Sequence, residues 1–202
     1  MGAVIWAREY LLKDADEADM ILVPSDVQYY DPAWLQRPTV GAGVGVDFAI
    51  SKKQTADYTA MTKAFDVKND EGERRLLILP KPLNARLNFE ETITEAVAIN
   101  EVMPNGTKWY PEKVAYQEAA IEIMQKNGLQ TVPMPSVTDK RSRAIAACFY
   151  IKKGRVLFPR EGCEELLAQF FGFGIEPHDD LCDSAVNVIL GMVKKSGGII
   201  FG

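Results

Sequence analysis

The chain has 202 residues, with 23 Lys and Arg against 28 Asp and Glu, a net charge of −5, 47% hydrophobic residues and 25% charged ones. These proportions are close to the average for a globular domain and exclude a disordered, collagen-like or coiled-coil chain. The acidic balance argues against a broad nucleic-acid surface, although the placement of charge counts for more than its sum.

Residues 1–38 differ from the rest of the chain. A helical charge pattern runs from Ala7 to Met20, and Pro24, Pro32 and Pro38 then punctuate the chain, so a short helix and a connecting segment are expected. Three strands come next, Val44 to Phe48, Tyr58 to Val67 and Arg75 to Pro80, with short polar loops between them that imply an antiparallel meander. The pattern then alternates. A helix is expected over 89–102, a strand over 113–117 ending at Glu118, a helix over 119–127 stopped by Asn127-Gly128, and a strand over 129–134. Helices are expected over 138–150, 163–171 and 179–194, with a short extended piece over 155–158 and a frayed tail from Ser196. The order β-β-β-α-β-α-β-α implies an α/β fold, a mixed five-stranded sheet with helices on both faces.

No apolar run approaches the roughly 20 residues of a membrane helix, so no membrane partner is expected. No signal-peptide pattern is visible at the start. Cys148, Cys163 and Cys182 form no CxxC pair, and an odd count without an export signal reads as reduced intracellular thiols. His178 is the sole histidine, which argues against a structural zinc site. No GxxxxGK[ST] phosphate loop is present, and Gly41 to Val46 precedes a strand, so it is not a dinucleotide fingerprint.

The informative feature is where the acids fall. Asp47 ends the first strand and Glu118 the fourth; parallel neighbouring strands would bring them together at their carboxyl ends. Asp179, Asp180 and Asp183 open the last helix, with Asp180 and Asp183 on one face. Each alone also suits a turn, a cap or a helix dipole. Together, crowded carboxylates take up protons unless a cation neutralises them. Hard oxygen ligands select Mg²⁺ or Mn²⁺, and two such ions can drive phosphodiester hydrolysis. Lys140, Arg141 and Arg143 open the helix after the fifth strand and suit either a phosphate backbone or a solvated basic face. Lys52 and Lys53, in the loop after Asp47, are placed to meet DNA, and Lys152, Lys153 and Arg155 form another basic group.

Five segments carry a resemblance: Gly45-Val46-Asp47-Phe48-Ala49-Ile50-Ser51 with Thr55-Ala56-Asp57-Tyr58-Thr59-Ala60, Val114 to Glu118, Thr138 to Ala144, Gly154 to Pro159, and His178 to Ala185. In this order they resemble the C-terminal nuclease domain of tailed-bacteriophage terminase large subunits, within the RNase H-like superfamily. The resemblance implies an endonuclease that cuts concatemeric viral double-stranded DNA during genome packaging with two Mg²⁺ or Mn²⁺ ions. It implies Asp47, Glu118, Asp180 and Asp183 as catalytic metal ligands, with Asp57, Asp179 and His178 as supporting or additional groups. Residues 1–40 would be a connecting segment from an ATPase domain, 41–195 the nuclease and 196–202 a flexible tail. The implied partners are that ATPase domain, the small terminase subunit and the portal, in the host cytoplasm. A junction resolvase or transposase-like enzyme of the same fold, and a non-catalytic DNA clamp, are the alternatives.

Overall fold

The computed structural model describes residues 20–48, 58–113, 118–135, 139–174 and 179–193. Strands β1 (Thr39–Asp47), β2 (Thr59–Lys68) and β3 (Arg74–Ile78) form the expected antiparallel meander. A short strand, β4 (Leu83–Ala85), adds to the start of β2. Helix α1 (Phe89–Val102) is opened by an Asn88–Glu91 capping box and leads into β5 (Lys108–Lys113), which pairs parallel with β1. Helix α2 (Glu118–Lys126) returns the chain to β6 (Gln130–Thr131) and β7 (Met134–Pro135), both parallel to β5. Helix α3 (Lys140–Lys152), strand β8 (Val156–Leu157), and helices α4 (Glu164–Phe171) and α5 (Asp180–Val193) complete the order. The sheet runs β6-β5-β1-β2-β3-β8, mixed and flanked by helices on both faces. Among the described residues no helix is long and apolar enough to cross a membrane.

Strand β1 sits at the centre and its pleat separates two jobs. Ala42, Val44 and Val46 point to one face, where they pack with Ala96 of α1 and with Ala120 and Met124 of α2. Gly41, Gly43 and Gly45 point to the other, where α5 lies. A Cβ on Gly45 would overlap the Ser184 carbonyl oxygen and stand 2.7 Å from the Val188 nitrogen, so helix backbone rests on strand backbone. Gly43 lies under Met192 and Tyr110, and Gly191 of the helix in turn makes room for the Tyr110 ring. Because Met192 sits over Gly43 and Ser184 over Gly45, α5 runs back along β1, and its first turn arrives above the strand's carboxyl end.

The sequence suggests an amphipathic last helix, but every residue from Leu181 to Val193 except Asp183 is buried. Burying its Leu, Ile, Val and Met side chains contributes roughly 1.5–3 kcal/mol each. Its polar members are paired. The Ser184 and Thr62 hydroxyls are 2.7 Å apart, and Ser184 Oγ donates to the Leu181 carbonyl at 2.9 Å. Residues 20–38, within the expected connecting segment, pack onto the domain. Ile21 and Leu22 join the main core, and Tyr30 packs with Val67, Leu77 and Leu157 while its hydroxyl donates to the Ile78 carbonyl at 2.9 Å. Arg155 does not belong to a basic surface group with Lys152 and Lys153. Its Nη2 lies 3.1 Å from Asp66, a fully buried carboxylate that Arg74 also holds.

Gly45→Ala should cost about 3 kcal/mol or more, the upper end of overpacking, since backbone on both sides has nowhere to move. Urea unfolding against wild type checks this, and a loss below about 0.5 kcal/mol would show that the helix does not rest on the strand.

Candidate metal centre

Asp47 is the last residue of β1 and shares the pleat parity of Gly43 and Gly45, so its side chain is directed to the α5 face. Val46 is level with Pro111 in the parallel β1–β5 ladder, so the next register step sets Asp47 beside Glu112. The first turn of α5 brings Asp180 and Asp183 over the same place, where the helix N-terminus favours acids. The electrostatics record this convergence. Burial first, then Asp183, Asp180 and Glu112, push the Asp47 carboxyl up to about 8, with Lys140 opposing. Burial also raises Asp183 to about 6, again against Lys140. Near neutral pH, then, Asp47 holds a proton that a nearby cation would displace.

Two cations from the first turn of α3 lie against the acids. Lys140 Nζ stands 2.5 Å from Asp179 Oδ1 and 2.7 Å from Asp183 Oδ2. Burial opposes its charge, but these bonds outweigh that and hold the ammonium above its usual range. Arg143 Nη1 lies 2.6 Å from Glu112 Oε1, and its Nη2 bonds Asn187 Oδ1. Asn187 Nδ2 donates to the Val46 carbonyl at 3.0 Å, which ties α5, α3, β1 and β5 together beside Asp47. The Arg143 side chain is only 12% exposed, so it braces the acids and does not present a DNA-facing charge. Arg141 is exposed on the same turn.

The structure corrects the placement of Glu118. It does not end a strand; it opens α2 as an exposed residue. The fourth long strand is Lys108–Lys113, and most of the expected strand 113–117 lies outside the described residues. The strand-end acid beside Asp47 is Glu112, which sequence reasoning missed. Pro111 disguises the strand, since proline is rare in a central strand. Here it falls where the neighbouring strand is interrupted between β6 and β7. The signal available was the aromatic pair Trp109-Tyr110 after the Asn105-Gly106 turn. Asp57, His178, Lys52 and Lys53 lie outside the described residues.

No family model matches the chain, and no curated protein does. Solved structures do. The large terminase of a thermophilic bacteriophage, solved at full length, aligns over 86% of this chain and 44% of its own, with a TM-score of 0.61 and 11% identity. The large terminase nuclease of thermophilic phage G20c with bound magnesium aligns over 81% of this chain and 90% of its own, with a TM-score of 0.54 and 16% identity. The nuclease domain of the Thermus phage P74-26 large terminase aligns over 83% and 90%, with a TM-score of 0.50 and 17% identity. The fold is that of a phage large-terminase nuclease domain. The chain thus spans 44% of the first of these large terminases but matches nearly the full length of the isolated terminase nucleases. Within the terminase-nuclease fold, the G20c protein has also been solved with bound zinc and with bound cobalt.

The acids of this chain suit a hard divalent cation by donor type: clustered carboxylate oxygens whose mutual repulsion raises Asp47. Among the described residues no three such side chains stand close enough to hold an ion as placed. Lys140 and Arg143 hold the charges instead.

A raised carboxyl binds a proton in the folded state that the unfolded chain releases. Metal-free stability should therefore fall as pH climbs from the usual 3.8 of Asp47 to about 8, and flatten above. The full effect is on the order of a few kcal/mol. The difference in melting temperature between wild type and Asp47→Asn, followed in EDTA from acid to alkaline pH, isolates it. Wild type should lose stability relative to the variant as pH rises, and parallel curves would contradict the crowding of acids around Asp47.

Proposed function

We propose that the chain is a divalent-metal-dependent endonuclease that cleaves concatemeric viral double-stranded DNA during genome packaging. The observation that carries the reading is the convergence on Asp47 of Asp183, Asp180 and Glu112, from three separate elements of a terminase-nuclease fold. One such acid would be a cap or a turn residue; four directed at one point in a poorly solvated place have no structural use that apolar residues would not serve better.

Asp47, Glu112, Asp180 and Asp183 would hold Mg²⁺ or Mn²⁺, two ions in all. Ions bound there supply the positive charge that acidifies an attacking water and neutralises the departing oxygen of a phosphodiester. The remaining work falls to the chain's own groups. Asp47 gives up its proton on loading and becomes the central anionic ligand. Arg143 holds the Glu112 carboxylate in one orientation, and Asn187 locks that guanidinium to the strand through the Val46 carbonyl. The buried α5 fixes Asp183 relative to Asp47 without a flexible joint. Arg141 and the Lys52–Lys53 loop are the proposed contacts to the DNA backbone, where charge gives affinity without sequence preference.

The proposed organisation follows the resemblance: residues 1–40 connect to an ATPase domain, 41–195 are the nuclease and 196–202 a tail. The ATPase domain, the small terminase subunit and the portal are the proposed partners, in the host cytoplasm. The span of 44% of a full-length phage large terminase supports a motor half outside this chain.

Plasmid nicking in Mn²⁺, in Mg²⁺ and in EDTA tests the function. Wild type should cut only with metal. Asp47→Ala and Glu112→Gln should each lose more than about 100-fold, beyond the usual cost of disturbing a residue that only orients a ligand. Glu118→Gln should keep most of the activity. Metal-independent cutting, or full activity in Asp47→Ala, would refute the nuclease. Loss in Glu118→Gln with retention in Glu112→Gln would refute the assignment of the strand acid.

A further inference from the structure

Helix α3 opens against its own dipole. Lys140, Arg141 and Arg143 fill its first turn with no acid among them, where exposed N–H groups favour negative charge. Asp139 offsets part of this as the cap, with Oδ1 accepting from the Ser142 nitrogen at 3.0 Å. The cap also fixes Lys140 as the first residue of the helix. From there the ammonium is straddled by Asp179 and Asp183 at 2.5 and 2.7 Å, a contact set of the kind a bound cation takes. The two basic side chains differ in freedom. Arg143 is 12% exposed and bonded to both Glu112 and Asn187, whereas Lys140 is 46% exposed, on a flexible stem with water beside it.

We infer that Lys140 is a tethered counter-cation that occupies a cation position between Asp179 and Asp183 and is displaced when a divalent ion enters, so that it sets the metal concentration at which the site fills. The inference rests on the metal-site reading proposed for Asp47 and its neighbours. An ammonium and a divalent ion cannot both take the inner oxygen of Asp183, so each excludes the other there. The helix bears an unfavourable charge at its N-terminus and in return the acids stay apart and folded while metal is scarce. Arg143 remains in place throughout, as its two partners lie on either side of the site.

The test is calorimetric titration of Mn²⁺ alone into wild type, Lys140→Gln, Lys140→Arg and Arg141→Gln, at one pH and ionic strength. The metal-free melting temperature of each variant checks that it is folded. Lys140→Gln should bind Mn²⁺ about tenfold more tightly, equivalent to about 1.4 kcal/mol. Lys140→Arg, which keeps a cation on the two carboxylates, should stay within about twofold of wild type. Arg141→Gln removes the same charge but leaves the Lys140 bonds, and should gain much less. Should Lys140→Gln not fold, Lys140→Met carries the same expectation. Equal or weaker binding in Lys140→Gln, or an equal gain in Arg141→Gln, overturns the inference while the metal site stands. If neither wild type nor any variant binds Mn²⁺, the metal site itself is refuted and the inference falls with it.

Discussion

Ser184 and Val188 of α5 lie so close to Gly45 that any side chain there would overlap their backbone. That contact decides where the last helix can sit. It lays the helix along β1 with no layer of side chains between, and it sets the first turn of the helix over the end of the strand. Asp183 then reaches Asp47 because both positions are set by the contact, one at the start of the helix and one at the end of the strand. The rest of α5 is buried on all sides, so the placement is supported along its whole length. A loosely packed helix would leave the acids a variable distance apart, and a cation site tolerates little of that.

The second constraint is charge. Four carboxylates converge where burial already disfavours ionisation, and the metal-free chain meets that in three ways. Asp47 keeps a proton. Lys140 bridges Asp179 and Asp183. Arg143 takes Glu112 and is fixed by Asn187, which is itself bonded to the strand that carries Asp47. Each device is a local cost accepted for a site elsewhere: an acid with a displaced pKa, two cations at the wrong end of a helix, and a buried amide within an apolar helix. Such local conflicts gather where a fold serves function more than stability.

Much of this was legible in the residues. The meander, the alternation after it, Asp47 at a strand end and the acids of the last helix follow from periodicity and from acids placed at element ends. The resemblance to terminase nucleases anticipated the fold. Glu112 was not legible because Pro111 hides the strand that carries it, and the six-residue displacement to Glu118 followed from that. The glycine alternation in β1 was visible as Gly41, Gly43 and Gly45, but its meaning needed the helix that fills the gap. Arg143 and Arg155 were read as surface charge because sequence shows a basic residue and not its partner. Both turn inward to carboxylates that come from distant strands.

The central claim is that Asp47, Glu112 and the first turn of α5 form one cation site. Anomalous diffraction from crystals soaked in Mn²⁺ tests it most directly. The account predicts a peak within about 2.2 Å of an Asp47 carboxylate oxygen, shared with Glu112 or Asp183. Manganese bound only at other surface acids, with no peak beside Asp47 at saturating concentration, would contradict it.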